Sequence, residues 1–478
     1  MGRRGGLRMI APFVRMENPM SLLLLILLAC TGDKADDSGT DDSGGDGHTG
    51  DGGTALAAPW PDWAWRHWVW EGESTETSLF EMVDGYQDNG IDVAAVIIDS
   101  PWETEYNDFI WDNKRFPDPQ GTIDALHERD IRVFLWIVPA INVDAGEIYD
   151  TWAENGWFMQ ADADSGPAVV SWWKGDGSLI DYWNPDALAA WHALMDPVLA
   201  LGIDGWKTDG LDISAISANY SPGLGRDIAR SEYSDAYYRD FHDYTRQVLG
   251  DDRILTARPV DNYGADIGGD AVAFAPVDIT WAGWVGDQDA TFDGLRMALR
   301  NYYWSADYGY LAFGSDIGGY RTEDSEPLGR TKELFLRWAQ VGAFSPVMEN
   351  GGGGEHWPWR FDQETVDIYR GLVDRHHAML PWLTERGSLA FAEGRSLMTF
   401  QDDEDYAYLL GDQVLVAPIL EEGGSVTVSF PEGSDWRWLF GDGTVYAGGT
   451  TETLTLALDE FSAFVQVGSE ADLAFGGG

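Results

Sequence analysis

The chain has 478 residues, enough to bury a large core and to form two domains. Its 81 acidic residues against 30 basic ones give a formal charge of -51. That excess argues against a nucleic-acid partner, because phosphate binding needs the opposite sign. A single cysteine excludes an internal disulfide.

In chain order, Arg3, Arg4, Arg8 and Arg15 precede the apolar run SLLLLILLAC, which is too short to span a bilayer. Leu27-Leu28-Ala29-Cys30 resembles a bacterial lipoprotein lipobox. The resemblance implies cleavage before Cys30, lipidation of its sulfur and export to the cell envelope, with membrane contact only through that lipid. An ordinary secretory signal with an incidental cysteine is the alternative. Residues 31–57 are rich in Asp, Gly, Ser and Thr and poor in apolar side chains, so they read as a flexible tether.

From residue 58, apolar runs alternate with helix-like stretches. Strands are expected at WRHWVW (65–70), VAAVIID (93–99), RVFLWIV (132–138), GWKTD (205–209), ILTAR (254–258), VDITW (277–281), YLAFGSD (310–316) and AFSPVM (343–348). Runs this apolar, joined by helical segments such as GTIDALHERD and PDALAAWHALMDPVLALG, predict a parallel sheet buried on both faces. Eight of them predict a (β/α)8 TIM barrel over 58–386. From 387 to 478 the pattern alternates with period two between Gly, Asp and Glu turns, which predicts a C-terminal antiparallel β-sandwich.

Catalytic groups of such barrels sit on the C-terminal tips of the strands. The expected tips carry Asp99, Trp136, Lys207, Asp209, Arg258, Asp287 and Asp316. Each alone reads as a cap or a turn. Together they form a mouth of carboxylates, two bases and an indole, suited to acid–base or covalent work on an uncharged polyol. The 24 tryptophans are expected mainly in the core, with some as platforms for sugar rings. No metal-ligand spacing, Walker loop or GxSxG triad is present, and no metal or organic cofactor is implied. The Gly-rich GGGGEH (351–356) lacks the strand-to-helix setting of a phosphate cradle.

DFIWDNKRFPDPQGTIDALHERDIRVFLWIVP, GWKTDG, WVGDQDATFDGLRMALR, FGSDIGGY, RWAQVGAFSPVM and LLGDQVLVAPIL occur in that order between Trp68 and Val467. They resemble glycoside hydrolase family 31, the family of α-glucosidases and α-xylosidases. The resemblance implies a retaining α-glycosidase acting on terminal sugars of a glycoside or oligosaccharide. It makes Asp209 the nucleophile and Asp287 the acid/base, with Asp289 as a nearby rival. It assigns sugar contacts to Asp99, Trp136, Lys207 and Arg258, and gives Asp316 either a sugar contact or a pairing with Arg258.

Two departures bear on specificity. Many members carry a β-domain before the barrel whose loops close the pocket, whereas here a tether and some ten residues precede the first strand. The Arg-Asn-His that follows strand eight in α-glucosidases is Glu349-Asn350-Gly351 here. Glu349 is therefore expected to change the charge of the pocket, with His356 free to replace the missing histidine. The sugar stays open among α-glucoside, α-galactoside and α-xyloside; sulfoquinovose is set aside for want of a further basic cluster. A transglycosylase or lyase on the same scaffold, and a non-catalytic carbohydrate-binding lipoprotein, are the alternatives.

Overall fold

The structure, a computed structural model, describes residues 58–261, 272–401 and 406–475. The expected signal peptide, Cys30 and the tether lie outside them. Among these residues, eight strands form one parallel sheet curled into a barrel. They are β1 (His67–Glu71), β2 (Ala95–Ile98), β3 (Arg132–Ile137), β4 (Gly205–Thr208), β5 (Ile254–Ala257), β6 (Ala282–Val285), β7 (Phe313–Ser315) and β8 (Met348–Asn350). Neighbours pair in sequence order, and β1 pairs with β8. The seam between β7 and β8 is closed by one bridge, Asp316 to Glu349.

Local chemistry explains the alternation. Strands such as Ala-Val-Ile-Ile in β2 are buried on both faces, as a helix-covered parallel sheet requires. The connecting helices α1 (Glu76–Asp88), α2 (Pro119–His127), α3 (Pro185–Leu199), α4 (Arg230–Leu249), α5 (Phe292–Tyr308) and α6 (Lys332–Ala343) mostly start on side-chain caps. Asp118 and Asn184 cap α2 and α3 and are each followed by proline at the first helical position, where its fixed φ fits and no amide is missed.

Two strands differ from expectation. The alternation Val-Asp-Ile-Thr-Trp at 277–281 is a turn, closed by Thr280 Oγ1 on the Pro276 carbonyl (2.7 Å), and β6 follows it. Gly283 within β6 hides it from a propensity reading, yet it is needed: a Cβ there would lie 3.0 Å from Phe313 Cβ and 3.2 Å from the Ala312 carbonyl. Likewise Ala343 ends α6, and the eighth strand begins only at Met348. Glu349 and Asn350 are thus strand residues inside the barrel, not a loop after it.

Between β3 and β4 a three-stranded antiparallel insert, Ala140–Asn142, Val169–Trp172 and Gly175–Leu179, rises beside the barrel mouth. After β8, the long α7 (Gln363–Glu393) runs past position 387 and leads into the C-terminal strands. These form a six-stranded antiparallel sheet and a separate two-stranded one, Ser425–Ser429 with Thr451–Thr455. Buried Arg337 of α6 ties this domain to the barrel by donating to the carbonyls of Leu456 (2.9 Å), Ala457 (3.0 Å) and Glu460 (3.1 Å).

Candidate active site

A cavity of about 360 Å³ opens at the C-terminal end of the barrel. Trp70, Asp99, Trp136, Trp173, Lys174, Lys207, Asp209, Trp284, Asp287, Tyr320 and Arg321 are among its walls. Three carboxylates and three cations thus meet four indoles in a volume suited to a single sugar ring.

Asp209 follows β4 directly. Its Oδ1 accepts from Arg258 Nε (2.8 Å) and from the Gly210 amide (2.7 Å), and its Oδ2 accepts from Trp136 Nε1 (3.1 Å). Burial alone would raise this carboxyl, but Arg258, the Gly210 amide and Lys207 outweigh it and hold the group below the ordinary aspartate value. Asp209 is therefore an ionised carboxylate with a fixed orientation.

Lys207, two residues earlier on β4, is buried between two indoles: Nζ lies 3.3 Å from the Trp70 ring centroid and 4.1 Å from that of Trp284. It pairs with Asp99 Oδ2 at 2.9 Å. Burial would lower the ammonium, yet Asp99, Glu349 and Asp316 more than offset this and keep it charged. Burial in turn raises Asp99 despite the pull of Lys207.

Asp287 follows β6 in a left-handed conformation, φ 65°. An aspartate held there carries strain on the order of 1–3 kcal/mol, which persists only where neighbours enforce it. Here they do: Asp316 Oδ2 accepts from the Asp287 amide (3.0 Å), and Arg321 donates to its carbonyl. Its side chain meets Arg258 Nη2, so one guanidinium holds both Asp209 and Asp287. Asp289, two residues on, is largely exposed, does not line the cavity and lies 3.6 Å from Arg321.

Asp99, Trp136, Lys207, Asp209 and Asp287 thus share one cavity, while four further expected contacts lie behind its walls. Arg258 is fully buried with its Cζ 3.9 Å from the Trp284 ring centroid, and it meets carboxylates where a sugar contact was expected. Asp316, also fully buried, accepts from Trp284 Nε1 (2.6 Å) and the Asp287 amide; it neither lines the cavity nor pairs with Arg258. His356 is pinned between the carbonyls of Ile317 (3.1 Å) and Gly353 (3.0 Å), and burial beside Arg330 holds it far below the usual histidine range. It fastens the 351–354 glycines to the loop carrying Tyr320 instead of gripping a sugar. Those glycines are a packing device: a Cβ on Gly351 would fall 2.2 Å from Trp70 Cδ1.

Glu349 is the fourth. It is fully buried on β8, where the Trp70 indole bears on its carboxyl without reaching full hydrogen-bond geometry among the described residues. Burial, opposed by Lys207 and reinforced by Asp99, pushes its carboxyl up to about 7. Burial and Glu349 together push Asp316 well above its usual value. A raised acid stabilises the fold when protonated, and that contribution is lost as pH rises through the folded value. Glu349→Gln is therefore expected to match the wild type near pH 4, below the unfolded value of 4.5. Near pH 8 it should exceed it by about 3 kcal/mol, from a shift of 4.5 to about 7 at 1.36 kcal/mol per unit. Denaturant unfolding at the two pH values measures this; a difference that does not change with pH would reject it.

Reading the sequence missed Trp70, Trp173, Lys174, Trp284, Tyr320 and Arg321. Trp173 and Lys174 sit at the tip of the insert hairpin in WWKGDG, whose glycines mark a turn that was a usable signal. Lys174 and Arg321 also supply basic groups at the mouth that the sequence had not disclosed. Among the described residues, no group of three or more His, Cys, Asp or Glu is arranged to hold a metal ion.

Fold and site together define a carboxylate-bearing (β/α)8 barrel with an indole-walled cup and a C-terminal β-sheet domain. The glycosyl hydrolase family 31 TIM-barrel domain matches residues 57–385 and the family 31 C-terminal domain matches 395–469, so the chain belongs to glycosyl hydrolase family 31. An α-xylosidase of Lactiplantibacillus pentosus is 27% identical over 417 residues, covering 82% of this chain and 51% of the relative. A sulfoquinovosidase of Escherichia coli is 25% identical over 380 residues, covering 75% and 53%. The solved α-xylosidase from a soil metagenome complexed with xylose superposes with a TM-score of 0.74 at 22% identity, over 86% of this chain and 65% of that one. The chain spans about half the length of the curated relatives it matches.

Proposed function

We propose that the protein is a retaining α-glycosidase that removes a terminal sugar and is tethered to the cell envelope through lipidated Cys30. The observation that carries this reading is the pair Asp209 and Asp287, following different strands and meeting at one guanidinium beside a one-ring cavity. The ionised Asp209 oxygen bonds to the anomeric carbon while the glycosidic C–O bond breaks. The electron pair stays on the leaving oxygen, which takes the Asp287 proton. Asp287 then takes a proton from water as that water attacks the glycosyl-enzyme, returning Asp209 to its ionised form. Trp70, Trp136 and Trp284 wall the ring, Asp99 accepts from its hydroxyls, and Lys207 donates to them.

The test is a panel of 4-nitrophenyl α-glycosides (xylo, gluco, galacto and sulfoquinovo) given to the full-length chain, with product analysis by sugar and anomer. The sulfoquinovoside belongs in the panel because Lys174 and Arg321 stand at the mouth and a sulfoquinovosidase is among the relatives. Release of one α-sugar with retained configuration is expected. Transfer of that sugar to added saccharide instead of water would favour the transglycosylase. A folded protein silent on every ring would favour the binding protein. In a bacterial host, Cys30→Ser is expected to move the protein out of the membrane fraction, and unchanged fractionation would reject the anchor.

A further inference from the structure

Arg258 spends its three donor nitrogens on three carboxylates. Nε goes to Asp209 (2.8 Å), Nη2 to Asp287, and Nη1 to Asp261 (3.0 Å). The first two face the cavity. Asp261 is fully buried and does not line it. Its other oxygen accepts from Asn301 Nδ2 (3.0 Å), on α5, which is itself fully buried. A second grip from α5 fixes the same segment: Ser305 Oγ accepts from the Val260 amide (3.2 Å), and its one proton lies between the carbonyls of Asn301 (2.7 Å) and Val260 (3.1 Å). Asp261 is thus held by backbone and side chain together.

We infer that Asp261, set by Asn301, is the standing anchor of Arg258, and that this anchor lets the Asp287 carboxyl leave the guanidinium and serve as proton donor. The inference rests on the glycosidase reading above. A carboxylate paired with a guanidinium stays ionised, whereas a general acid must arrive protonated. Asp287 must therefore part from Arg258 and collect a proton from water before cleavage. A buried guanidinium that loses one counter-ion either keeps others or is drawn after the departing one. Asp261 supplies the counter-ion that never moves. The backbone of Asp287 is separately held by Asp316 and Arg321, so its side chain alone has to turn.

Asp261 acts through Arg258 and is a positioning residue. Among the described residues, the charged groups that share this cluster with Arg258 include Asp209 after β4, Lys207 on β4, Asp99 after β2, Asp316 after β7 and Glu349 on β8, and none is altered by changing Asp261. Removing the Asp261 charge leaves Arg258 less neutralised, which favours the ionised forms of Asp287 and Asp209. The pH profile of kcat/KM should then move toward acid on both limbs.

The experiment compares the full-length wild type with Asp261→Asn and Asn301→Ala. The substrates are α-glycosides of the identified sugar carrying 2,4-dinitrophenyl, 4-nitrophenyl and methyl leaving groups, each with a pH profile of kcat/KM. Dinitrophenolate leaves unaided, while methanol needs the proton. Asp261→Asn is expected to lose under about threefold on the dinitrophenyl substrate and about a hundredfold on the methyl one, within the range for general acid catalysis. Its alkaline limb should sit at lower pH. Asn301→Ala keeps the charge but removes the Asn301 grip on the carboxyl, and should show the same dependence on leaving group more weakly. Should Asp261→Asn fail to fold, Asn301→Ala decides the matter on leaving-group dependence alone. Equal losses on all three leaving groups, or an unmoved profile in Asp261→Asn, would overturn the inference. A wild type inert on the entire series would overturn the glycosidase reading, and this inference with it.

Discussion

Asp209→Ala is expected to lose about 10⁴-fold or more in kcat/KM, and added azide to restore part of the activity as a glycosyl azide of inverted configuration. The expectation follows from how the carboxylate is held. Its Oδ1 faces Arg258 and the Gly210 amide, its Oδ2 faces the Trp136 indole, and the net field keeps it charged. Removing it leaves a space the size of a small anion beside a guanidinium, which azide can enter. Azide attack there inverts the anomeric carbon once, whereas the proposed path through a glycosyl-enzyme inverts it twice. Asp287→Ala should instead accumulate the glycosyl-enzyme from a dinitrophenyl substrate and give the retained azide. If the two variants yield their azides the other way round, the roles of Asp209 and Asp287 are exchanged. If neither responds to azide, the covalent route itself is wrong.

How much of this was legible in the chain depends on which force placed each residue. Asp209, Asp99 and Arg258 could be read because each directly follows a short apolar run, and a strand that ends in a charge at that end of a barrel points it at the mouth. Glu349 was read as a pocket residue because the eighth strand was placed at 343–348, which left Glu349 just beyond its end. Once Met348 opens the strand, Glu349 falls inside the barrel, where burial decides its proton affinity. Trp284 was missed for a related reason: Gly283 lies within its strand and Gly286 just after it, and their value lies in close approach and not in local propensity. Trp173 and Lys174 reach the cup only through the antiparallel pairing of 169–172 with 175–179, a non-local arrangement with no periodic trace in so short a segment. Asp261 gave no signal at all, since its role exists only in relation to Arg258 and Asn301.

Arg258→Met tests the same cluster by stability. Arg258 is fully buried and meets three carboxylates whose side chains are 8%, 1% and 16% exposed. Methionine can cover the Trp284 face but leaves those acids without their shared cation. Breaking a buried pair by removing one partner costs about 3–5 kcal/mol, so a loss of that size is expected at pH 7. The dependence on pH identifies the cause. In the wild type the Asp209 value is depressed, so its stabilisation is present above the unfolded value of about 3.9 and lost as pH falls. In the variant, the burial of Asp209 is no longer opposed by Arg258, so protonation relieves that carboxylate and the deficit shrinks as pH is lowered toward 4. Denaturant unfolding of both proteins at pH 7 and pH 4 measures this directly. A deficit equal at both values would mean that Arg258 contributes through its packing on Trp284. A deficit that closes at low pH would mean that its charge holds the two proposed catalytic acids together in the folded barrel.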